Sequence, residues 1–280
     1  MKLPQAVRLG QNNAVTASKA LIPRRDYLAG QRRSIIARAI VGSLAGMIPL
    51  PFLDDMAVAS ILGNGYRSLA RAHHVDLSDE AVNALVHGQS QPPKLAGLAI
   101  GGVLARVATR AAKRMMVAIA AVNRARSAAR TYTFMTLFDH YCAKLHTGPA
   151  LDGPTALALR EEISKAIDAA PGALAFHPFR RAALAAARST VRAPLELADL
   201  VSGGRLRKAL ASKNEVAEPE HVDDIEQMME RVLSEKSNFL ARTVASVEAQ
   251  LSSEQNPFLD GAIESLDRRW RARMSVKAIK

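Results

Sequence analysis

Histidine, cysteine and carboxylate side chains are the groups in this sequence best suited to chemistry. His73 and His74 are adjacent, so on a helix their side chains point about 100° apart and make poor ligands for one metal ion. A second group lies near the end of a predicted helix and comprises Asp139, His140, Cys142 and His146. His140 and Cys142 are two residues apart and face different ways on a helix, and His146 is six residues from His140, so a metal site or a cysteine–histidine nucleophile would need tertiary contacts.

Other signals of catalysis are weak. Glu161-Glu162 and Asp223-Asp224 are adjacent carboxylates, and we interpret both pairs as solvated first turns of helices. The sequence has no GxxxxGK[ST] phosphate loop, and its single cysteine excludes an internal disulfide and a CxxC motif. We therefore expect a protein that is not an enzyme, with no catalytic residues, no metal site and no cofactor.

Composition predicts an all-α fold. Hydrophobic residues make up 49% of the 280 residues, whereas aromatic residues make up only 4%. Alanine, leucine, arginine and methionine are abundant, and all four lose little side-chain freedom in a helix. Alternating runs of β-branched and aromatic residues are missing. The prediction is a multi-helix bundle with an apolar helical hairpin, a long basic helix and a C-terminal amphipathic helix.

Charge divides the chain into blocks. Residues 1–33 carry seven basic and one acidic side chain, residues 94–150 carry nine and one, and residues 214–256 carry three and ten. The net charge is +12. Together with proline- and glycine-rich connectors, these blocks predict five segments: a basic N-terminal arm at 1–33, a hairpin and basic-helix domain at 34–146, a helical segment at 147–212, a linker at 213–219, and an acidic amphipathic helix with a basic terminal helix at 220–280.

The hairpin has a proline turn between two apolar helices. The first helix is predicted at Ser34–Ile48, and Pro49 and Pro51 interrupt it. Asp54 and Asp55 follow in the first turn of a second helix that ends at about Ala72, where negative charge suits the helix dipole. The uncharged run of fifteen residues from Ala39 to Leu53 would reach about 22 Å, which is shorter than a bilayer core of roughly 30 Å. Two interpretations stay open: a buried core hairpin, or a hairpin that contacts or partly enters a membrane.

Further helices follow the hairpin. Ser78 is predicted to cap a short helix that ends at Gly88, and a long helix is predicted from Leu95 to Leu145. Five cations share one face of the long helix at about 100° per residue, with aliphatic residues opposite. Such a face could be solvated, or it could contact anionic lipid headgroups or phosphates. The five cations are Arg106, Arg110, Lys113, Arg114 and Arg124.

The C-terminal region combines an acidic and a basic helix. Apolar residues at spacings of three and four predict either packing against the bundle or a coiled-coil contact with a partner helix, and they include Ile225, Met229, Val232, Leu240 and Val244. A terminal helix is predicted from Pro257, and its RRWRAR sequence suggests a basic, tryptophan-bearing tip for an anionic surface.

One stretch resembles a known family. IPLPFLDDMAVASILGNGYRSLARAHHVDLSDEAV contains an Ile-Pro-x-Pro turn, an acidic residue after it, an apolar helix through Leu69 and a Leu-Ser helix start at Leu77-Ser78. In these elements, residues 34–90 resemble the YcjF-like family, whose helical domains occur in bacterial inner-membrane proteins and beside GTPase domains. The resemblance implies membrane linkage and a GTPase partner.

These observations favour a non-enzymatic, membrane-associated accessory or regulatory protein of a bacterial type. Its expected place is the cytoplasmic face of the inner membrane, peripheral or partly inserted. The expected partners are an anionic membrane surface, a GTPase or other protein, and a second copy of the chain. The alternative is a soluble helical scaffold or a nucleic-acid-associated protein, although few aromatic residues are present to stack on bases.

Overall fold

A computed structural model of the chain describes residues 25–45, 53–88, 110–170, 177–180, 230–231, 233–234, 239–253 and 257–279. This part of the chain forms an all-α multi-helix bundle, as the composition predicts. A 3₁₀ helix at Asp26–Leu28 leads into seven long helices, interrupted by two strands of two residues each. The helices are α1 (Ala29–Ala45), α2 (Leu53–Ala72), α3 (Asp79–His87), α4 (Arg110–Lys144), α5 (Gly153–Ala169), α6 (Phe239–Ser253) and α7 (Pro257–Ile279).

Local capping signals explain several helix ends. The Ser78 hydroxyl accepts a hydrogen bond of 3.1 Å from the Ala81 amide at the start of α3, and Gly88 ends this helix with φ = 69°. Both assignments confirm the sequence prediction. Helix α5 begins at Gly153, because the Asp152 carboxylate accepts a hydrogen bond from the Thr155 amide. Helix α7 begins at Pro257, as predicted.

Strands β1 (Asp76–Leu77) and β2 (Ala150–Leu151) pair in parallel, with Asp76 opposite Ala150. Neither strand was predicted from the sequence, since two residues are too few for an alternating pattern. This pairing joins the turn after α2 to the loop before α5. It therefore fixes the position of His73, in the turn after α2, relative to the C-terminal end of α4.

Helix α1 lies at the centre of the bundle. It packs against α2, α4 and α6, and its residues from Ile35 to Val41 are all buried, including Arg38. A helix at the edge of a bundle would bury only one stripe, so burial of seven successive residues means that protein covers α1 on every side. Residues 35–41, and Ile61 on α2, therefore favour the buried-hairpin interpretation for the part of the hairpin whose side chains are described.

The remaining hairpin assignments are only partly described. Asp54 and Asp55 lie in the first turn of α2, as predicted from the sequence. Pro49 and Pro51 lie outside the described residues. In the described part of the chain, no helix is long and apolar enough to cross a membrane.

Gly65 marks a close approach of three helices. A Cβ atom there would lie 2.6 Å from Cδ of Arg38 on α1, and it would also overlap Met135 on α4. Met135 is fully buried and Arg38 is 97% buried, so neither side chain can move into solvent. Helices α1, α2 and α4 can therefore pack this closely only because residue 65 is a glycine and has no Cβ atom.

We expect Gly65→Ala to lower the free energy of unfolding by about 1–3 kcal/mol, because it overpacks this crossing. Gly30→Ala on α1 is the matched control, since a Cβ there meets nothing within 4 Å. The control should leave stability unchanged or raise it by about 0.5–1 kcal/mol through helix propensity. Urea unfolding followed by circular dichroism measures both values. Equal effects of the two substitutions would contradict the close approach at Gly65.

Candidate functional site

Two features of the molecule carry functional groups: a buried polar cluster between α2, α4 and α7, and the cations on the outward faces of α4 and α7. The buried cluster contains Asp139 and His140, which the sequence analysis singled out, together with residues that it did not connect to them. These additional members are Tyr27, His73 and Asp267.

His140 is the centre of a three-residue chain of hydrogen bonds. Its Nε2 atom lies 2.7 Å from Oδ1 of Asp267 on α7, and its Nδ1 atom is bonded to the Tyr27 hydroxyl in the 3₁₀ helix. A carboxylate can only accept, so Nε2–H donates to Asp267 and Nδ1 accepts from Tyr27. Burial lowers the pKa of His140, while Asp267 opposes the shift. The chain therefore holds a neutral imidazole and joins the start of the described structure to α4 and α7.

Asp139 forms the second part of the cluster. Its carboxyl group is fully buried, and Oδ1 accepts a 2.7 Å hydrogen bond from Nε2–H of His73. The other oxygen, Oδ2, is buried and has no hydrogen-bond partner among the described residues. Burial raises the pKa of Asp139, and His73 opposes this shift. The unpaired oxygen acts in the same direction as burial, because it leaves the carboxylate charge without a second hydrogen-bond donor.

Cys142 has no activating partner in this cluster. The thiol is buried, and burial followed by the charge of Asp139 raises its pKa. Both ring nitrogens of His140 are already bonded, to Tyr27 and Asp267, so this imidazole does not serve the sulfur as a base. No group of three histidine, cysteine or carboxylate side chains suited to a metal ion occurs within the described ranges.

His146 is also held by a structural contact. Its Nδ1 atom lies 3.1 Å from the Tyr141 hydroxyl, and Tyr141 packs edge-to-face on Trp270 at 5.0 Å between ring centroids. Burial lowers the pKa of His146, while a backbone hydrogen bond involving Gly148 opposes the shift. These contacts connect the end of α4 to α7, and the hydrogen bonds of His140 connect the same two helices. The histidines near the end of α4 thus hold helices together.

The predicted basic face of α4 is only partly visible. Arg106 lies outside the described residues, and Arg110, Lys113 and Arg114 lie on α4 without a described side chain. Arg124 is partly buried, and burial lowers its pKa. It lies beside a buried face formed by Ala125, Ala128, Ala129 and Tyr132.

The buried side of this part of α4 is formed largely by small alanines, which allow the close approach of a neighbouring helix. The predicted contact of Arg124 with anionic groups stays a prediction. The exposed side of the same part of α4 also carries Arg126 and Arg130, one turn apart. Neither arginine was among the five predicted contacts.

Of the five predicted partner-helix residues, only two are described. Ile225, Met229 and Val232 lie outside the described residues. Leu240 and Val244 are fully buried in the core of the chain itself, where α6 packs against α1. For these two residues the prediction of a partner contact is corrected to intramolecular packing, because residues 35–41 of α1 are apolar except for Arg38 and need α6 as part of their cover.

Helix α7 also differs from its prediction. Trp270 is only 4% exposed and packs into the core, so it is not part of an exposed tip. Arg273 lies 3.1 Å from Oε1 of Glu162 on α5, and Arg269 lies 3.9 Å from the other oxygen of that carboxylate. Glu162 is buried beneath them, which corrects its interpretation as a solvated residue. Residues 271–276, which we call the α7 tip, are all exposed.

Comparison with known proteins finds no match to this chain: no family model, no curated protein and no solved structure is similar to it.

The buried imidazole should make stability depend on pH. Because the pKa of His140 is lowered by folding, the unfolded chain binds this proton at a higher pH than the folded protein does. The stability contribution is complete above the ordinary value of 6.5 and is lost as the pH falls from there to the lowered pKa. We expect His140→Gln to reduce this pH dependence, and urea unfolding at pH 7.5 and 5.5 measures it.

His74→Gln is the matched control, because the side chain of His74 is exposed. This variant should keep the pH dependence of the wild-type protein. A residual dependence in His140→Gln is expected from His146, whose pKa is also lowered by burial. Identical pH profiles for His140→Gln and the wild-type protein would contradict the assignment.

Proposed function

We propose that this protein is a non-enzymatic accessory or regulatory protein that binds peripherally to an anionic membrane surface. The proposal depends on one observation: the apolar residues of α1 between Ile35 and Val41 are buried, while cationic residues are concentrated on α4 and at the end of α7. The apolar helix α1 is covered by protein, whereas α4 carries six cations and no acidic residue between Arg110 and Phe138. Helix α7 likewise carries only positive charges from Arg268 onward. Helices of this kind suit a negatively charged surface.

The proposed contact is electrostatic and does not require insertion of the hairpin. Ile35, Ile40 and Ile61 are buried against other parts of the chain, so these side chains are not free to enter a bilayer. One cation near an anionic leaflet contributes about 1 kcal/mol, so the exposed Arg130, Arg268 and Arg271 would together contribute about 3 kcal/mol. That value corresponds to an increase in affinity of roughly a hundredfold.

Phosphate groups of nucleic acids would attract the same cations, and binding of nucleic acid is the competing outcome. Tyr66, Tyr141 and Trp270 are buried, so they cannot stack on bases. The GTPase partner implied by the resemblance remains a separate prediction, and residues 34–90 would be the region to examine for that contact.

Flotation with liposomes tests the proposal. We expect the full chain to float with vesicles containing about a third anionic lipid at low salt, and to be released near 1 M salt, where charges are screened within about 3 Å. Neutral vesicles of the same size are the control and should bind little. Equal binding to both vesicles, no binding to either, or stronger binding to duplex DNA in a parallel shift assay would overturn the proposal.

Cell fractionation gives an independent result. A peripheral protein should sediment with membranes and leave them in a high-salt wash. Retention through both high salt and carbonate would indicate an inserted hairpin, and recovery entirely in the soluble fraction would contradict membrane association.

A further inference from the structure

The apolar stripe of α7 continues beyond the body of the bundle. Ile263, Leu266 and Trp270 recur at spacings of three and four, and all three are buried. The next position of this stripe is Met274, which is 40% exposed. Helix α7 therefore runs past the surface that covers it between Trp270 and Met274.

The α7 tip is exposed on all sides. Each of the six residues from 271 to 276 is exposed, although successive side chains point about 100° apart around the helix. Met274 and Val276 are the two large apolar side chains that are exposed in the described part of the chain. They point roughly 160° apart, so a flat surface beside the helix could cover only one of them.

Cations surround these two apolar side chains. Arg271 lies on the tip itself, and Arg268 lies one turn earlier; both are exposed. Arg273, which also belongs to the tip, is bound to Glu162 and so fixes this part of α7 against α5. Basic residues near a helix C-terminus also complement the helix dipole, but that effect does not require exposed methionine and valine between them.

We propose that the α7 tip is the element that seats the protein on an anionic bilayer, with the helix end entering the headgroup region obliquely. Arg268 and Arg271 contact lipid phosphates, while Met274 and Val276, on opposite sides of the helix, both reach the acyl boundary. The mixture of arginine with exposed apolar side chains is complementary to the lipid interface, which offers negative charge and apolar surface within a few ångströms. This inference rests on the proposed function and names the site for it.

Two double variants test the two components of the contact. Arg268→Gln with Arg271→Gln should weaken binding to anionic vesicles roughly 25-fold, since each cation near the leaflet is worth about a fivefold change in affinity. Met274→Ser with Val276→Ser should weaken binding roughly tenfold and should lower the fraction that remains bound at high salt. Affinity is measured by flotation of the full chain with vesicles containing about a third phosphatidylserine, at several salt concentrations.

The matched control is Arg180→Gln with Arg242→Gln, which removes two exposed arginines outside α4 and α7 and changes the net charge equally. It should weaken binding by less than fivefold. Circular dichroism and thermal unfolding should match the wild-type protein for all three double variants, because the altered side chains are exposed.

The possible outcomes distinguish the α7 tip as the binding site from the proposed function as a whole. A control that loses as much affinity as the charge variant of the tip would mean diffuse electrostatic binding, which overturns the α7 tip as the site but leaves the proposed function standing. Unchanged affinity in Met274→Ser with Val276→Ser would overturn the apolar part of the contact. A wild-type protein that ignores anionic vesicles would remove the proposed function itself.

Discussion

The burial of α1 is the constraint on which the rest of this structure depends. Residues 35–41 of α1 are apolar except for Arg38, and such a segment is stable in water only if other helices enclose it; α2, α4 and α6 supply that enclosure. Several features follow from it: the absence of a Cβ at Gly65, the inward alanines of α4 and the complete burial of Leu240 and Val244. Residues from the predicted segments 34–146, 147–212 and 220–280 all contribute to this one core.

Polar contacts determine where α7 lies on this core. Asp260 forms a 2.9 Å ion pair with Arg25, Asp267 binds His140, and Arg273 reaches Glu162 on α5. Each pair joins a largely buried group to a more exposed one, so removing the exposed partner is costly because the buried group is left without compensation. All three contacts involve residues of α7 at or before Arg273. The residues after Arg273 have no such contact to hold them against the bundle, which accounts for the exposure of Met274 in an otherwise buried stripe.

The sequence was informative where a short segment determines its own structure. Ser78, Gly88 and Pro257 mark helix ends through local hydrogen bonds and backbone geometry, so their positions could be predicted. The pairs that build the polar cluster are 113 residues apart for Tyr27 and His140, and 127 residues apart for His140 and Asp267. No periodic pattern connects residues at such separations. The same reason explains the error at Trp270: its neighbouring arginines suggested an exposed tip, but only the tertiary contact with Tyr141 decides which way the ring faces.

The apolar hairpin illustrates why hydrophobicity alone does not indicate a membrane contact. Burial in protein and burial in lipid both remove apolar area from water, at about 25 cal/mol per Å², so the side chains of α1 would gain similarly from either environment. What distinguishes the two is whether the chain supplies its own cover, and here Ile35, Ile36 and Ile40 are covered by α2, α4 and α6. A surface contact must then use the groups that folding leaves outside, which on α4 and α7 include Arg130, Arg268 and Arg271. Attraction between such groups and anionic headgroups acts over about a Debye length, so association of this kind responds to ionic strength whereas the core does not.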